Sequence, residues 1–549
     1  MSTPWYLYCA LAGIILFLFR KLQTRLRLSR AKHPSLAGHS RVSRYIAKRV
    51  PFYEYSEDKF FTSDGAPANI AEQRRAALER LASHFRERSP QSTALYEQLE
   101  HSVSDVLFTN AYRVPFQYRN FITNKLQLGT IVDASNGTQL KDIDGNWSYD
   151  LSGSYGVNVF GYDFYKECIE KGLARVRELG PVLGPYHPVI VENVIKLKAI
   201  SGLDEVSFHM SGTEAVMQAV RLARYHTGRS HLVRFCGSYH GWWDGVQPGV
   251  GNQRKNRDVY TLKEMDENTL TVLRTRKDIA CVLVNPLQAM NPNASAPSDA
   301  MLVNSGRSAH FDRQAYSRWL KELRQVCSAQ GIVLILDEVF LGFRIAYGGA
   351  QEYFGIKADM VTYGKTLGGG LPIGVVCGKR KFMKRFKDDR PTDICFARGT
   401  FNSHPYVMGA MNEFLRRIDQ PEVRASYDKL DELWNARVME LNNRLESKGL
   451  PVRVVNFTSV WTIIYIRPSR YNWMFQYYLR AEGLSLPWTG SGRIIMSHNF
   501  SDADYDAVVQ RFVAAAQAMQ NDGWWWQHAG LTNKSIKKQV FREMLASRF

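Results

Sequence analysis

The chain has 549 residues, 45% apolar and 22% charged, which excludes wholesale disorder and a multi-span membrane protein and leaves room for roughly two to four domains. Its formal charge is +19, but ten Lys or Arg and no acid fall in the first fifty residues and a further excess of four lies beyond Gly523, so only five charges belong to the body and nucleic-acid binding is set aside. Seven cysteines without a CxxC pair, and histidines without an HExxH pattern, exclude a disulfide scaffold and metal sites of those types and fit a reduced compartment.

The first element is the charge-free run WYLYCALAGIILFLF from Trp5 to Phe19, followed at once by Arg20, Lys21, Arg25, Arg27 and Arg30. No basic stretch precedes it and no small-residue cleavage site follows it, so it reads as a retained single-pass membrane anchor with a basic collar over 1–30 and the catalytic body in the cytoplasm. An Arg-rich connector over 31–115 comes next. In it, APANIAEQRRAALERLASHFRER follows the turn signal Ser63-Asp64-Gly65 and predicts an amphipathic helix packed on the body.

From 171 to 385, short apolar runs (EVSF, HLVRF, ACVLV, GIVLIL, IGVVC) alternate with helical patterns such as EAVMQAVRLARYH, which predicts a mainly parallel sheet covered by helices. Ligands of such sheets bind beyond the carboxyl ends of the strands, so the residues after each run are the candidates. After EVSFHM come Ser211, Gly212 and Thr213, opening a helix whose free amides and dipole suit a phosphate, although Ser and Thr are also ordinary N-caps. After GIVLIL comes Asp337, an acid emerging from a buried strand, which by itself is equally a loop carboxylate. After DMVTYG comes Lys365, followed by Gly368, Gly369 and Gly370, an amine where the backbone passes close to a bulky ligand. Together these supply an amine for an aldehyde, an acid for a ring nitrogen and a cradle for a phosphate, the set that pyridoxal 5′-phosphate requires. No metal is expected.

Residues 116–170 and 386–520 flank this body and predict a smaller domain made from both. The end, 521–549, carries GWWWQHAG and the basic NKSIKKQVFREMLASRF, which reads either as a docked terminal helix or as a second contact with a membrane surface.

The blocks DIDGNWSYDLSGSYG, HMSGTEAVMQAVRLAR, GSYHGWWDG, LDEVFLGFRIAYGGAQEYFGIKADMVTYGKTLGGGLPIG and GTFNSHP occur in this order between about 130 and 520. In them the chain resembles the class III pyridoxal-phosphate-dependent aminotransferases, particularly glutamate-1-semialdehyde 2,1-aminomutase and the aminotransferase modules of polyketide assembly lines. The resemblance implies an α/β type I pyridoxal-phosphate-dependent transferase fold, with a mainly parallel central sheet and a smaller α+β domain, to which the N-terminal membrane helix would be added. It implies that Lys365 is the Schiff-base lysine, that Asp337 pairs with the pyridinium nitrogen, and that Val339 and Tyr239 cover the two ring faces. Ser211, Gly212 and Thr213 would hold the phosphate, with Thr400 completing that site from the neighbouring subunit of a homodimer. Ser154, Tyr155, His240 and Asn285 are the candidates for substrate contact or support. Asn285 also marks a departure, because the family commonly has an acidic EP dipeptide where this chain reads Asn285-Pro286-Leu287-Gln288.

The anchor and the departure at Asn285 together predict a membrane-anchored aminotransferase that takes an amino donor and an apolar or acyl-carrier-bound carbonyl acceptor. Two alternatives stand beside it: the aminomutase, and a non-catalytic membrane scaffold that keeps the fold without the activity.

Overall fold

A computed structural model describes residues 5–126, 131–254, 257–293, 306, 308–487 and 492–548. The central sheet is made by β1 (Glu205–His209), β2 (His231–Phe235), β3 (Val259–Leu262), β4 (Ile279–Val284), β5 (Val333–Asp337), β6 (Met360–Gly364) and β7 (Gly374–Gly378), in the spatial order β1-β7-β6-β5-β4-β2-β3. All pairs between β6 and β3 are parallel, and β7 runs antiparallel between β1 and β6. β4, β5 and β6 are buried at every position. Unbroken apolar runs such as IACVLV form such strands because helices cover both faces of a parallel sheet.

The helix after β1 is one of these covers. The Ser211 hydroxyl caps it by accepting from Glu214 N at 3.2 Å, and it ends at Gly228 in the left-handed region, φ +64°. Its inner face, Ala215, Val216, Ala219, Val220 and Ala223, is fully buried, which an Ala-rich stripe permits by letting helix and sheet approach closely.

A second core lies apart from this sheet. It packs the antiparallel strands Val452–Phe457, Val460–Tyr465 and Arg493–Ile495 together with helices from the N-terminal extension and the C-terminal end. Phe60, Phe61, Leu78, Leu81 and Phe85 of the extension meet Trp473, Trp524 and Phe512 here. Trp524 and Trp525 are 0% and 4% exposed, and their indole N–H groups donate to Tyr478 and Asn472, so these two aromatics of the GWWWQ segment serve a core and not a membrane surface.

The expectation of a membrane anchor is overturned. Trp5–Ala31 does form one helix, α1, but no helix among the described residues is long and apolar enough to cross a membrane. The reason is length: the charge-free run Trp5–Phe19, at about 1.5 Å per residue, reaches roughly 22 Å against a hydrocarbon core of about 30 Å. The same helix then continues through the five basic residues of the collar, and its end docks on the body, where Ala31 is fully buried and accepts a hydrogen bond from Lys263 N at 2.8 Å. The fold is therefore the α/β transferase architecture without a spanning helix. The membrane as a partner, and the single-pass placement with a cytoplasmic body, fall with the anchor.

Candidate active site

Three strand ends converge at the carboxyl edge of the sheet. β5 ends in Asp337, which is 4% exposed, and neighbouring β6 ends in Gly364, so that Lys365 stands beside it. Lys365 has φ +50°, an uncommon backbone for a residue with a side chain, and such strain of order 1–3 kcal/mol persists only where the surroundings enforce it. Its Nζ donates to the Tyr155 carbonyl at 2.6 Å and lies 5.8 Å from the centre of the Phe340 ring. Burial pulls the ammonium pKa down to about 8; Asp337 pushes it up and the Arg344 guanidinium adds to the lowering. About a tenth of this amine is neutral at pH 7, far more than for an ordinary lysine, and that is the form in which it attacks a carbonyl.

Asp337 is held from three directions. His240 Nδ1 lies 2.7 Å from Oδ2, while Thr362 Oγ1 and Val339 N each donate to Oδ1 at 3.2 Å. The imidazole is buried, and its pKa is lowered by that burial and by Arg234, against the raising effect of Asp337. Its Nε2 has no hydrogen-bond partner among the described residues.

The glycines show how tightly the cradle is drawn. A Cβ on Gly212 would lie 2.6 Å from Val339 Cγ1, and one on Gly364 would lie 3.2 Å from the same atom, so the strand end, the helix start and Val339 are in mutual contact. Gly241, at φ +88°, sits directly on the Thr213 hydroxyl, which leaves no room for a side chain. This brings the SYHG loop against the helix start. The Gly212 and Thr213 amides belong to the first turn, where a helix has no carbonyl of its own to bond them, so they are available to an anion.

His240 and Asn285 are engaged within the protein. Asn285 Nδ2 donates to the Tyr239 carbonyl at 2.8 Å and its Oδ1 accepts from Leu287 N at 3.1 Å, so this side chain fixes the loop that presents Tyr239. Tyr239 itself is 63% exposed. Ser154 and Tyr155, both in the left-handed region at φ +44° and +57°, border a pocket of about 720 Å³ with Ser152, Tyr162, Ser135 and Lys166. The Ser154 and Tyr162 hydroxyls are 2.9 Å apart, and Tyr162 donates to Asp150 at 2.7 Å. Thr400 stands exposed in the loop before the helix Pro405–Arg417 and makes no hydrogen bond to Ser211, Gly212, Thr213 or Lys365 of its own chain. The neighbouring subunit to which the resemblance assigns it lies outside the single chain described.

Sequence reasoning did not single out Thr362, Phe340, Gly241 or Arg344. Gly241 carried a signal, because a glycine directly after two candidate ring contacts marks a close approach. Arg344 carried none that could be read locally: it is fully buried and donates to the Asn158 and Met496 carbonyls and the Ser459 hydroxyl, three segments far apart in the chain.

The profile of the class III aminotransferases matches residues 122–516. The glutamate-1-semialdehyde 2,1-aminomutase of Hyperthermus butylicus is 34% identical over 341 residues, 61% of this chain and 76% of that protein. The aminomutase of Citrifermentans bemidjiense is 31% identical over 354 residues, 61% of this chain and 77% of its own. Among solved structures, a transaminase with PLP bound superposes with a TM-score of 0.64 at 24% identity, covering 79% of this chain and 99% of its own. A glutamate-1-semialdehyde aminomutase from Pseudomonas aeruginosa gives 0.66 at 17% identity, covering 82% and 99%. These two superpositions establish the fold.

Proposed function

The chain belongs to the class III aminotransferases, enzymes that use pyridoxal 5′-phosphate, and from that premise we propose that it moves an amino group within one substrate molecule, as a glutamate-1-semialdehyde 2,1-aminomutase does. The observation that carries this reading is the similarity to curated aminomutases across three quarters of their length, in a chain whose lysine, aspartate and glycine cradle meet at one sheet edge. It replaces the expectation of a membrane-anchored aminotransferase for an apolar or carrier-bound acceptor, which lost its premise with the anchor. The scaffold reading yields as well, since membership of this family makes the chain an enzyme.

The residues fit the cofactor. The His240 Nε2, without a partner among the described residues, and the helix-start amides of Gly212 and Thr213 are polar groups that a ring with an anionic arm would satisfy. Lys365 would hold it covalently, Ser211, Gly212 and Thr213 would hold its phosphate, Asp337 would face its ring nitrogen, and Val339 and Tyr239 would cover the ring. The cofactor, when bound, supplies an aldehyde for the substrate amine and a ring that withdraws electrons from the adjoining carbon.

The protein's own part follows from its geometry. Asp337, kept in place by His240, Thr362 and the Val339 amide, would offer its carboxylate to the ring nitrogen and favour its protonated form. Lys365 Nζ, depressed to about 8, can give up and take back a proton near neutral pH, and so serves as general base and then general acid at the substrate carbons. The Tyr155 carbonyl accepts from this amine at 2.6 Å and is its hydrogen-bond partner when it is not bonded to the cofactor. Ser154, Tyr162 and the pocket beside them lie where a substrate would approach.

The test is to incubate the purified enzyme with glutamate 1-semialdehyde and no other amino donor or acceptor. The reading expects the isomer with nitrogen on carbon 1. Formation of product only when a second amino compound or keto acid is added would replace it with intermolecular transfer.

A further inference from the structure

Gly153, Ser154, Tyr155 and Gly156 stand consecutively in the left-handed region, at φ +52°, +44°, +57° and +98°. Such a run is foreign to L-residues. Each of the two that carry a side chain costs free energy comparable to a hydrogen bond, so a turn built this way persists only where its surroundings enforce it. Packing enforces the two glycines. A Cβ on Gly153 would lie 2.7 Å from Ile495 Cγ2, and one on Gly156 would lie 2.7 Å from the Phe340 ring and 3.3 Å from Lys365 Cδ.

Ser154 is held through its side chain. Asp150, 2% exposed, accepts from Ser152 N at 2.8 Å and from the Ser152 hydroxyl at 2.6 Å on one oxygen, and from Tyr162 at 2.7 Å on the other. That contact uses the one hydroxyl hydrogen of Tyr162, so at the 2.9 Å approach of the two hydroxyls Ser154 donates and Tyr162 accepts. Ser154 N donates to the Ser152 hydroxyl at 3.3 Å, which closes a ring of hydrogen bonds on the turn. Burial raises the pKa of Tyr162 and the charge of Asp150 raises it further, so the phenol keeps the hydrogen this chain needs. Tyr162 itself opens the helix Tyr162–Val176, so the turn is tied to a fixed element and not to another loop.

The outcome of the turn is one aimed carbonyl. Gly153 O and Ser154 O accept from Asn158 N at 3.1 Å and Val157 N at 3.2 Å, within the segment, whereas Tyr155 O accepts from Lys365 Nζ at 2.6 Å. A carbonyl bonds an amine without bringing a full negative charge that would favour its protonated form, so the lone pair stays available.

We infer that Tyr162 is a positioning residue for Lys365: through Ser154, with Asp150 behind it, it locks Gly153–Gly156 in the left-handed form that aims the Tyr155 carbonyl at the lysine amine. This rests on the reading of Lys365 as the lysine that holds the cofactor, and deepens it by naming what fixes the amine in place. Attack by an amine depends steeply on geometry, and a misplacement of about 1 Å costs on the order of a hundredfold.

The experiment follows, by absorbance, the rate at which apoenzyme attaches pyridoxal 5′-phosphate covalently, and separately measures affinity for pyridoxamine 5′-phosphate, which fits the same cradle but cannot bond to a lysine. Tyr162→Phe keeps the ring and removes the hydroxyl; it slows attachment about tenfold or more and leaves pyridoxamine 5′-phosphate affinity within about twofold. Ser154→Ala breaks the same chain at its other end and slows attachment in the same way, and it carries the test should Tyr162→Phe fail to fold. Attachment at the unsubstituted rate in either folded variant, or an equal loss of attachment and of pyridoxamine 5′-phosphate affinity, overturns the inference. Lys365→Ala tests the premise separately. Attachment that persists in it overturns the reading of Lys365 and the inference with it, while attachment lost there and unchanged in Tyr162→Phe overturns the inference alone.

Discussion

The cleft around Lys365 and the second core built from the two ends of the chain handle buried charge in opposite ways. In the second core two buried arginines are each paired with an acid. Arg74 and Asp64, both with side chains 0% exposed, meet at 2.7 and 2.9 Å, and the same guanidinium donates to the Phe61 and Gly523 carbonyls. Arg470 likewise bonds Glu543, joining the middle of the domain to the terminal helix. At the cleft, His240 keeps one nitrogen without a partner among the described residues, and Lys365 has a carbonyl instead of an acid as its acceptor. Complete pairing fixes a structure; incomplete pairing leaves groups whose remaining partners are the cofactor and the substrate.

That contrast can be broken by substitution. The largest effect is expected for Lys365→Ala, which should lower conversion of glutamate 1-semialdehyde by about 10²–10⁴ or more while the melting temperature stays put. Conversion within a few-fold of the unsubstituted enzyme would remove Lys365 from the chemistry. In the second core, Arg74→Met strands Asp64 without its partner and should cost about 3–5 kcal/mol in chemical denaturation, with the folded fraction still active. A loss below about 1 kcal/mol would show that the pair is not the clamp described here.

A smaller effect is expected for His240→Ala, which takes one of three hydrogen bonds from Asp337. Cofactor retention, followed by absorbance during dialysis, should weaken about tenfold or more, because a hydrogen bond to a charged group is worth about 1.5–3 kcal/mol. Unaltered retention would make His240 a packing residue. Smallest is the pH effect. Because the folded-state pKa of Lys365 is depressed to about 8, the neutral amine gains as pH rises through that value; the rate at which apoenzyme takes up cofactor should climb about tenfold between about pH 7 and 9 and then level off. A rate still climbing steeply above about pH 10 would mean that the lysine is not desolvated.

What was legible in the sequence follows the same division. Ser211, Asp337 and Lys365 each stand directly after an apolar run, so alternating strands and helices were enough to bring them to one edge. Arg344 was not legible, because its partners Asn158, Ser459 and Met496 are brought to it only by packing of segments far apart in the chain. The tail stayed open between two readings for a related reason: Trp524 and Trp525 look interfacial beside a basic segment, and the phenol and amide that satisfy their indoles lie more than forty residues upstream. The anchor misled through composition read without length, since a helix can be apolar for four turns and still fall short of a bilayer.

The central claim is that Lys365 is the residue that holds the cofactor. The direct measurement is to reduce the holoenzyme with borohydride, which fixes the cofactor to whichever amine holds it, and to locate the added mass by peptide mapping. The expected result is a single modified lysine in the peptide containing GKTLGGG, at Lys365; modification at any other lysine, or none at all in enzyme that retains cofactor absorbance, would contradict it.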